Sequence, residues 1–162
     1  MIGDSQGQSI ATTATHDARA ASAFFESPIT NHDLEMPHRS RLAGFIIDCE
    51  TGDLDAAASF WSGALGMPVA ERYAEGEAEY ARLSNTPAHL HVEVQKVRHP
   101  SRVHLDIETD DLDAEAARLE ALGARKIEFR KRWWIMQAPT GQRFCIVRMQ
   151  HPETGAAPNV WP

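Results

Sequence analysis

The sequence predicts an α+β fold: two βαβββ modules related by pseudo-twofold symmetry and curled around a shared cavity. Three observations predict it. Residues 46–58 (IIDCETGDLDAAA) align without gaps to residues 104–116 (HLDIETDDLDAEA), with eight identities in thirteen positions. Each copy then runs into an apolar stripe that stops at a glycine, Gly66 in the first and Gly123 in the second. Each stripe is followed by three short strand-like runs separated by turn signals. Two copies are too few for a solenoid, so the repeat points to a duplicated module.

Each copy opens with a strand. In FIIDC and RVHLDI one alternating set is apolar, namely Phe45, Ile47 and Cys49, then Val103, Leu105 and Ile107. This set is predicted to form the core face under a helix. Asp53 and Asp111 are N-cap candidates, and Asp55 and Asp113 suit the positive end of the helix dipole. Leu54, Ala58, Trp61 and Leu65 fall on one helical face, as do Leu112, Ala116, Leu119 and Leu122. The glycines that follow suit a left-handed helix stop. The first copy then offers strands in PVAERYA, AEYARLS and HLHVEVQ, and the second in RKIEFRK, WWIMQA and RFCIVRM. Turn signals at Glu75-Gly76, Asn85-Thr86-Pro87 and Pro139-Thr140-Gly141 separate them.

These limits divide the chain into three parts. Residues 1–40 form an N-terminal extension, rich in Ala, Ser and Thr, in which HDARAASAFF (residues 16–25) is the one candidate short helix. Residues 41–150 form the domain, with modules at about 41–97 and 101–150. Residues 151–162 read as an irregular tail.

Composition narrows the partners. Hydrophobic residues make up 43% and charged residues 24%, as in globular proteins. A formal net charge of -7 argues against nucleic acid and anionic membranes, which would repel the chain. No apolar run approaches the roughly 18 residues needed to span a bilayer. The N-terminus lacks the basic and apolar regions of a signal peptide, so a cytoplasmic location is expected. The two cysteines, Cys49 and Cys145, show no paired motif.

The stretches FIIDCETGDLDAAASFWSGALGMPV, RVHLDIETDDLDAEAARLEALGA and APTGQRFCIVR together resemble the vicinal oxygen chelate superfamily. Within its glyoxalase, bleomycin resistance protein and dioxygenase group, they are similar to the glyoxalase-like domains. The resemblance covers roughly residues 41–150. It implies paired modules whose sheets enclose a ligand cavity. It also implies a ligand position on the first and last strand of each module, where metal-dependent members hold a divalent ion. His104 matches the first-strand position of the second module, whereas its repeat counterpart Ile46, or Gly44 if the strand is bulged, cannot ligate. Cys145 stands where metal-dependent members have Glu. No cofactor is therefore favoured. If a divalent metal (Zn, Ni, Fe or Mn) is bound, His91, Glu93 and His104 are its expected ligands.

Alternation puts Arg102, His104, Asp106 and Glu108 on the face opposite the helix-packing residues, and puts His89, His91, Glu93 and Gln95 together on one face of HLHVEVQ. Such a face can meet solvent or line a cavity. The expected ligand-binding residues are His91, Gln95, His104, Trp134 and Cys145, with His104 and Glu93 as candidate proton-transfer residues. His104 is expected to hydrogen-bond Asp106, a neighbour or a ligand, and Cys145 to be a buried structural cysteine. Arg130, Lys131 and Arg132 beside Trp133 and Trp134 suit either an anionic or aromatic ligand or a solvated strand. Asp48 and Asp106, in identical contexts, are expected to share one structural role. The expected function is binding of a small organic molecule, the alternative a metal-dependent lyase, isomerase or dioxygenase acting on vicinal oxygens. A homodimer is the expected assembly, with residues 1–40 reaching across to the partner.

Overall fold

The structure, a computed structural model, describes residues 36–162. The predicted helix at residues 16–25 and the reach of residues 1–35 toward a partner lie outside these. The first module consists of β1 (His38–Glu50), α1 (Leu54–Leu65), β2 (Val69–Glu75), β3 (Ala78–Leu83) and β4 (His91–Val97). The second repeats the order as β5 (Arg102–Thr109), α2 (Leu112–Ala121), β6 (Arg125–Arg130), β7 (Trp133–Gln137) and β8 (Arg143–Arg148), and β9 (Asn159–Trp161) follows. The strands join in the order β2-β3-β4-β1-β5-β8-β7-β6, so the modules meet edge to edge through β1 and β5 and the sheet stays open.

The β1–β5 register carries the symmetry of the repeat. Gly44 faces Asp106, Ile46 faces His104 and Asp48 faces Arg102 across the antiparallel pair. Exchanging every residue for its repeat counterpart turns the first of these pairs into the last and leaves Ile46–His104 unchanged. The pseudo-twofold axis therefore passes between Ile46 and His104. The parallel β1–β4 and β5–β8 ladders are equivalent in the same way, pairing Asp48 with Gln95 and Asp106 with Cys145.

Both helices form for the reasons legible in the chain. Asp53 accepts from the Ala56 backbone N–H, and Asp111 from those of Asp113 and Ala114. Gly66 ends α1 at φ 67°, a left-handed conformation that costs glycine nothing. α1 packs on β2–β4, burying Ala58 against Ala81 and Val94. α2 packs on β6–β8, burying Leu112, Ala116 and Leu119 against Met136 and Ile146. Each large side chain buried this fully contributes about 1.5–3 kcal/mol relative to exposure.

Three expectations change. Val103 and Leu105 do not form core: they are 58% and 43% exposed, because the helices cover the flanking strands and leave the outer face of the central pair open. His89 belongs to a 3-10 turn (Pro87–His89) rather than to β4. The tail is not wholly irregular, since β9 pairs antiparallel with His38–Ser40 at the start of β1. A buried polar cluster holds it there. Glu115, fully buried, accepts from His38 at 2.9 Å, Ser40 at 3.0 Å and both arms of Arg118. Trp161 donates to Ser40 at 2.8 Å and stacks on the Arg118 guanidinium. The hydrogen bonds and charges of these partners hold the Glu115 carboxyl below its usual pKa against the opposing effect of burial.

Candidate functional site

The concave face of the sheet encloses a cavity of about 320 Å³. Strand alternation selects its lining. β1 contributes Ile46 and Asp48, β4 contributes His91, Glu93 and Gln95, β5 contributes Arg102, His104, Asp106 and Glu108, and β8 contributes Arg143 and Cys145. A β-bulge between Leu42 and Gly44 brings Gly44 against β4. A Cβ at Gly44 would lie 1.9 Å from the His91 carbonyl oxygen, so no larger residue fits the crossing.

His104 stands at the centre, 9% exposed. Its Nδ1 lies 3.0 Å from Asp48 Oδ2, and the same oxygen accepts from Arg102 Nε at 2.9 Å. Its Nε2 lies 3.6 Å from Asp106 Oδ1. Of the partners expected for His104, the hydrogen bond goes to a neighbour, Asp48, which reaches across the symmetry axis from the opposite module, rather than to Asp106. With Nδ1–H donated to Asp48, Nε2 is left as the acceptor nitrogen, beside Asp106 in the cavity wall.

The two aspartates do not share one role, although they occupy equivalent positions. Asp48 has Arg102 across the ladder, whereas Asp106 has Gly44. Burial pushes the Asp48 carboxyl up, but the hydrogen bonds and charges of His104 and Arg102 outweigh it and hold the pKa below the usual value. Burial raises Asp106 to about 6, the nearby Glu93 charge adding to the rise and the His104 charge opposing it. One oxygen of each, Oδ1, is buried without a hydrogen-bond partner. Burial together with the charges of Asp106 and Asp48 pushes the Cys145 thiol pKa up. A thiol held protonated in this way is a poor nucleophile.

Glu93 is 5% exposed and occupied on both oxygens: Tyr73 donates to one at 2.7 Å and Arg82 to the other at 3.0 Å. Gln95 donates to Tyr80 at 3.2 Å. The two tyrosine rings stack at 5.0 Å and make an aromatic wall. Burial pushes the Tyr80 phenol up to about 12. The structure puts Trp133, not Trp134, in the cavity. Alternation turns Trp134 to the helix side, where it packs on the α2 core, meets Phe129 edge-on and donates to Asp113. Tyr73, Tyr80, Arg82 and Arg143 were not anticipated from the sequence. The same alternation within β2, β3 and β8 was the signal available for them.

The metal set expected from the sequence is not assembled. Among the described residues, the ligand atoms of His104, Asp106 and Cys145 lie within 4.8 Å of one another, and His91 and Glu93 do not join them. Glu93 is held away by Tyr73 and Arg82. The assembled set does fit a divalent ion. Its N, O and S donors are those zinc accepts, and the orphaned Asp106 Oδ1 is an atom a cation would satisfy. Asp48 behind His104 supplies the carboxylate that commonly orients a metal-binding imidazole.

Two βαβββ modules joined edge to edge around a polar concave cavity define the class of protein. Residues 44–147 match the model of the glyoxalase-like domain. The chain belongs to this family, within the vicinal oxygen chelate superfamily. No curated protein matches it. Among solved structures, methylmalonyl-CoA epimerase from Mycobacterium tuberculosis is similar at TM-score 0.55 and 17% identity, covering 67% of this chain and 87% of that one. A hypothetical protein from Bacillus halodurans C-125 reaches TM-score 0.55 at 11% identity, covering 68% and 95%. A methylmalonyl-CoA epimerase in complex with methylmalonyl-CoA and NH4+ reaches 0.51 at 19%, covering 73% and 99%. At these identities the likeness is one of fold. No helix among the described residues is long and apolar enough to cross a membrane.

Proposed function

We propose that the cavity binds a small organic molecule and that His104 moves a proton on it. The observation that carries this reading is the bracing of His104. Asp48, itself held by Arg102, fixes the ring at Nδ1, and the ring lines a cavity of ligand size. A positioned imidazole of this kind serves as a general base. Asp106, beside Nε2 and titrating near neutral pH, is the group that receives or returns the proton. Glu93, committed to Tyr73 and Arg82, shapes the pocket and does not transfer protons. The reaction class is proton abstraction from carbon next to a carbonyl, the first half of an isomerisation or a lyase reaction.

The test is solvent deuterium exchange. Small ketones and 2-substituted acids are incubated with the protein in D2O and followed by proton NMR. Exchange at the carbon beside the carbonyl is expected with the wild type and lost in His104→Ala. Exchange that is absent, or equal in the variant, overturns the assignment.

A second reading is favoured by one observation, the convergence of His104, Asp106 and Cys145. These residues would hold a divalent ion, which would polarise a bound oxygen as a Lewis acid. Elemental analysis of protein purified without a histidine tag checks it: stoichiometric metal in the wild type and none in Cys145→Ala supports this reading. A homodimer is also proposed, formed by a second copy of the chain on the open outer face. Leu42, Val103 and Leu105 leave that face apolar at its centre, at 40%, 58% and 43% exposure. Light scattering of the wild type and of Leu105→Lys decides it, since a monomeric wild type removes the proposal.

A further inference from the structure

Most of the charges that line the cavity are paired within the chain. Asp48 is matched by Arg102, Glu75 by Arg132, Glu93 by Arg82 and Glu108 by Arg41. Asp106 has no arginine or lysine partner, and its nearest basic group is the His104 ring. On the cationic side, Arg130 lies 3.4 Å from Glu128, and Arg148, exposed at the cavity edge, reaches the Asp110 carbonyl at 3.5 Å. Arg143 has neither kind of contact. It lines the cavity, it is partly buried, and among the described residues it makes no ion pair or side-chain hydrogen bond. A half-enclosed guanidinium with five donors and no acceptor is a site prepared for an anion from outside the chain.

The fold places this group on the same cavity as the proposed base, since Arg143 and His104 both line it. The parallel β5–β8 ladder begins at the Asp106–Cys145 pair. Arg143 lies two residues before Cys145, as His104 lies two before Asp106, so both side chains leave their strands on the cavity face at the same end of the ladder. Tyr73 and Tyr80 form the wall on the first module's side and Trp133 that on the second's, so the rest of the ligand meets aromatic faces.

We propose that Arg143 anchors the carboxylate of a small organic acid, holding its adjoining carbon at His104 and its planar or apolar body between the aromatic walls. This rests on the proton-transfer reading for the role of His104, but not for the binding step. A bidentate guanidinium–carboxylate contact gives both the affinity and the orientation. The volume of 320 Å³ lies at the low end for ligand pockets, about 300–1,000 Å³, which limits the acid to a compact one.

The probes are benzoate, mandelate and phenylphosphonate, each set against an uncharged counterpart: benzamide, mandelamide and the phenylphosphonate diethyl ester. Binding is measured by ligand-observed NMR and titration calorimetry on the full chain. At least one anion is expected to bind at least tenfold more tightly than its counterpart. Arg143→Gln is expected to erase that preference while leaving the uncharged probes unchanged, and Arg143→Lys to restore part of it. His104→Ala is expected to keep the preference even as deuterium exchange is lost. Failure of proton transfer thus appears as bound acid without exchange. Failure of the anchor appears as no anion preference in the wild type, or as a preference that survives in Arg143→Gln.

Discussion

Replacing Asp106 by asparagine removes a carboxyl that the fold holds at a raised pKa. In the unfolded chain the group titrates near 3.8, and in the folded protein near 6. The folded state therefore keeps the proton more tightly, and the wild type loses stability as pH rises from about 4 through about 6. At about 1.4 kcal/mol per pKa unit, the full cost at neutral pH is about 3 kcal/mol. Asparagine is nearly isosteric, cannot ionise, and keeps a donor for His104 Nε2. Near pH 4 the two proteins should differ only by a constant offset. Near pH 8 the variant should have gained about 3 kcal/mol on the wild type relative to that offset. Asp48, Asp110 and Glu115, whose pKa values are lowered, act on the opposite side. Their stabilisation is present above the unfolded carboxylate pKa and is lost as pH falls, equally in both proteins. The comparison therefore isolates Asp106. Urea unfolding at pH steps between about 4 and 8, with m-values checked for constancy, measures it. A pH-independent difference, or a variant that loses ground as pH rises, would refute the reasoning about its environment.

Other outcomes follow from the same geometry. Gly44→Ala should destabilise the protein by roughly 3 kcal/mol or abolish folding, read by thermal unfolding, because its Cβ would meet the His91 carbonyl oxygen at 1.9 Å. Glu115→Ala should cost about 3–5 kcal/mol in urea, since it leaves Arg118, His38 and Ser40 with no acceptor in a buried cluster. Cys145 should resist iodoacetamide near pH 7.5 while an unfolded control reacts, because burial and nearby carboxylates oppose its ionisation. His104→Ala should cost on the order of 1 kcal/mol in thermal unfolding, as Arg102 remains on Asp48.

Much of the architecture can be traced to residues that act locally. Asp53 and Asp111 cap their helices through their own side chains, and the apolar faces beginning at Leu54 and Leu112 follow from helical spacing. The repeat itself implies paired modules, because a duplicated unit with one buried face tends to pair with its copy. Strand alternation likewise placed His91, Glu93 and Gln95 on one face of β4 and His104 on the polar face of β5, and both faces line the cavity. The expectation that Trp134 faces the cavity failed, because the register of β7 on β8 makes Trp133 the inward one.

The site was decided by contacts between the modules, which one-dimensional spacing does not contain. From sequence, Asp48 and Asp106 are twins. In the fold they become opposites, one ionised and the other titrating near neutral pH, because the antiparallel register sets Arg102 across from Asp48 and Gly44 across from Asp106. The metal set shows the same dependence. His91 and Glu93 share a strand face, but Tyr73 and Arg82, arriving from β2 and β3, claim both Glu93 oxygens, and the donors that converge on His104 come from β5 and β8. Local sequence determined which residues could face the cavity, because side-chain direction follows from the backbone period. Only the tertiary structure determined which of them meet, because hydrogen bonds and charge coupling fall off within a few ångströms and depend on how one strand is registered against the next.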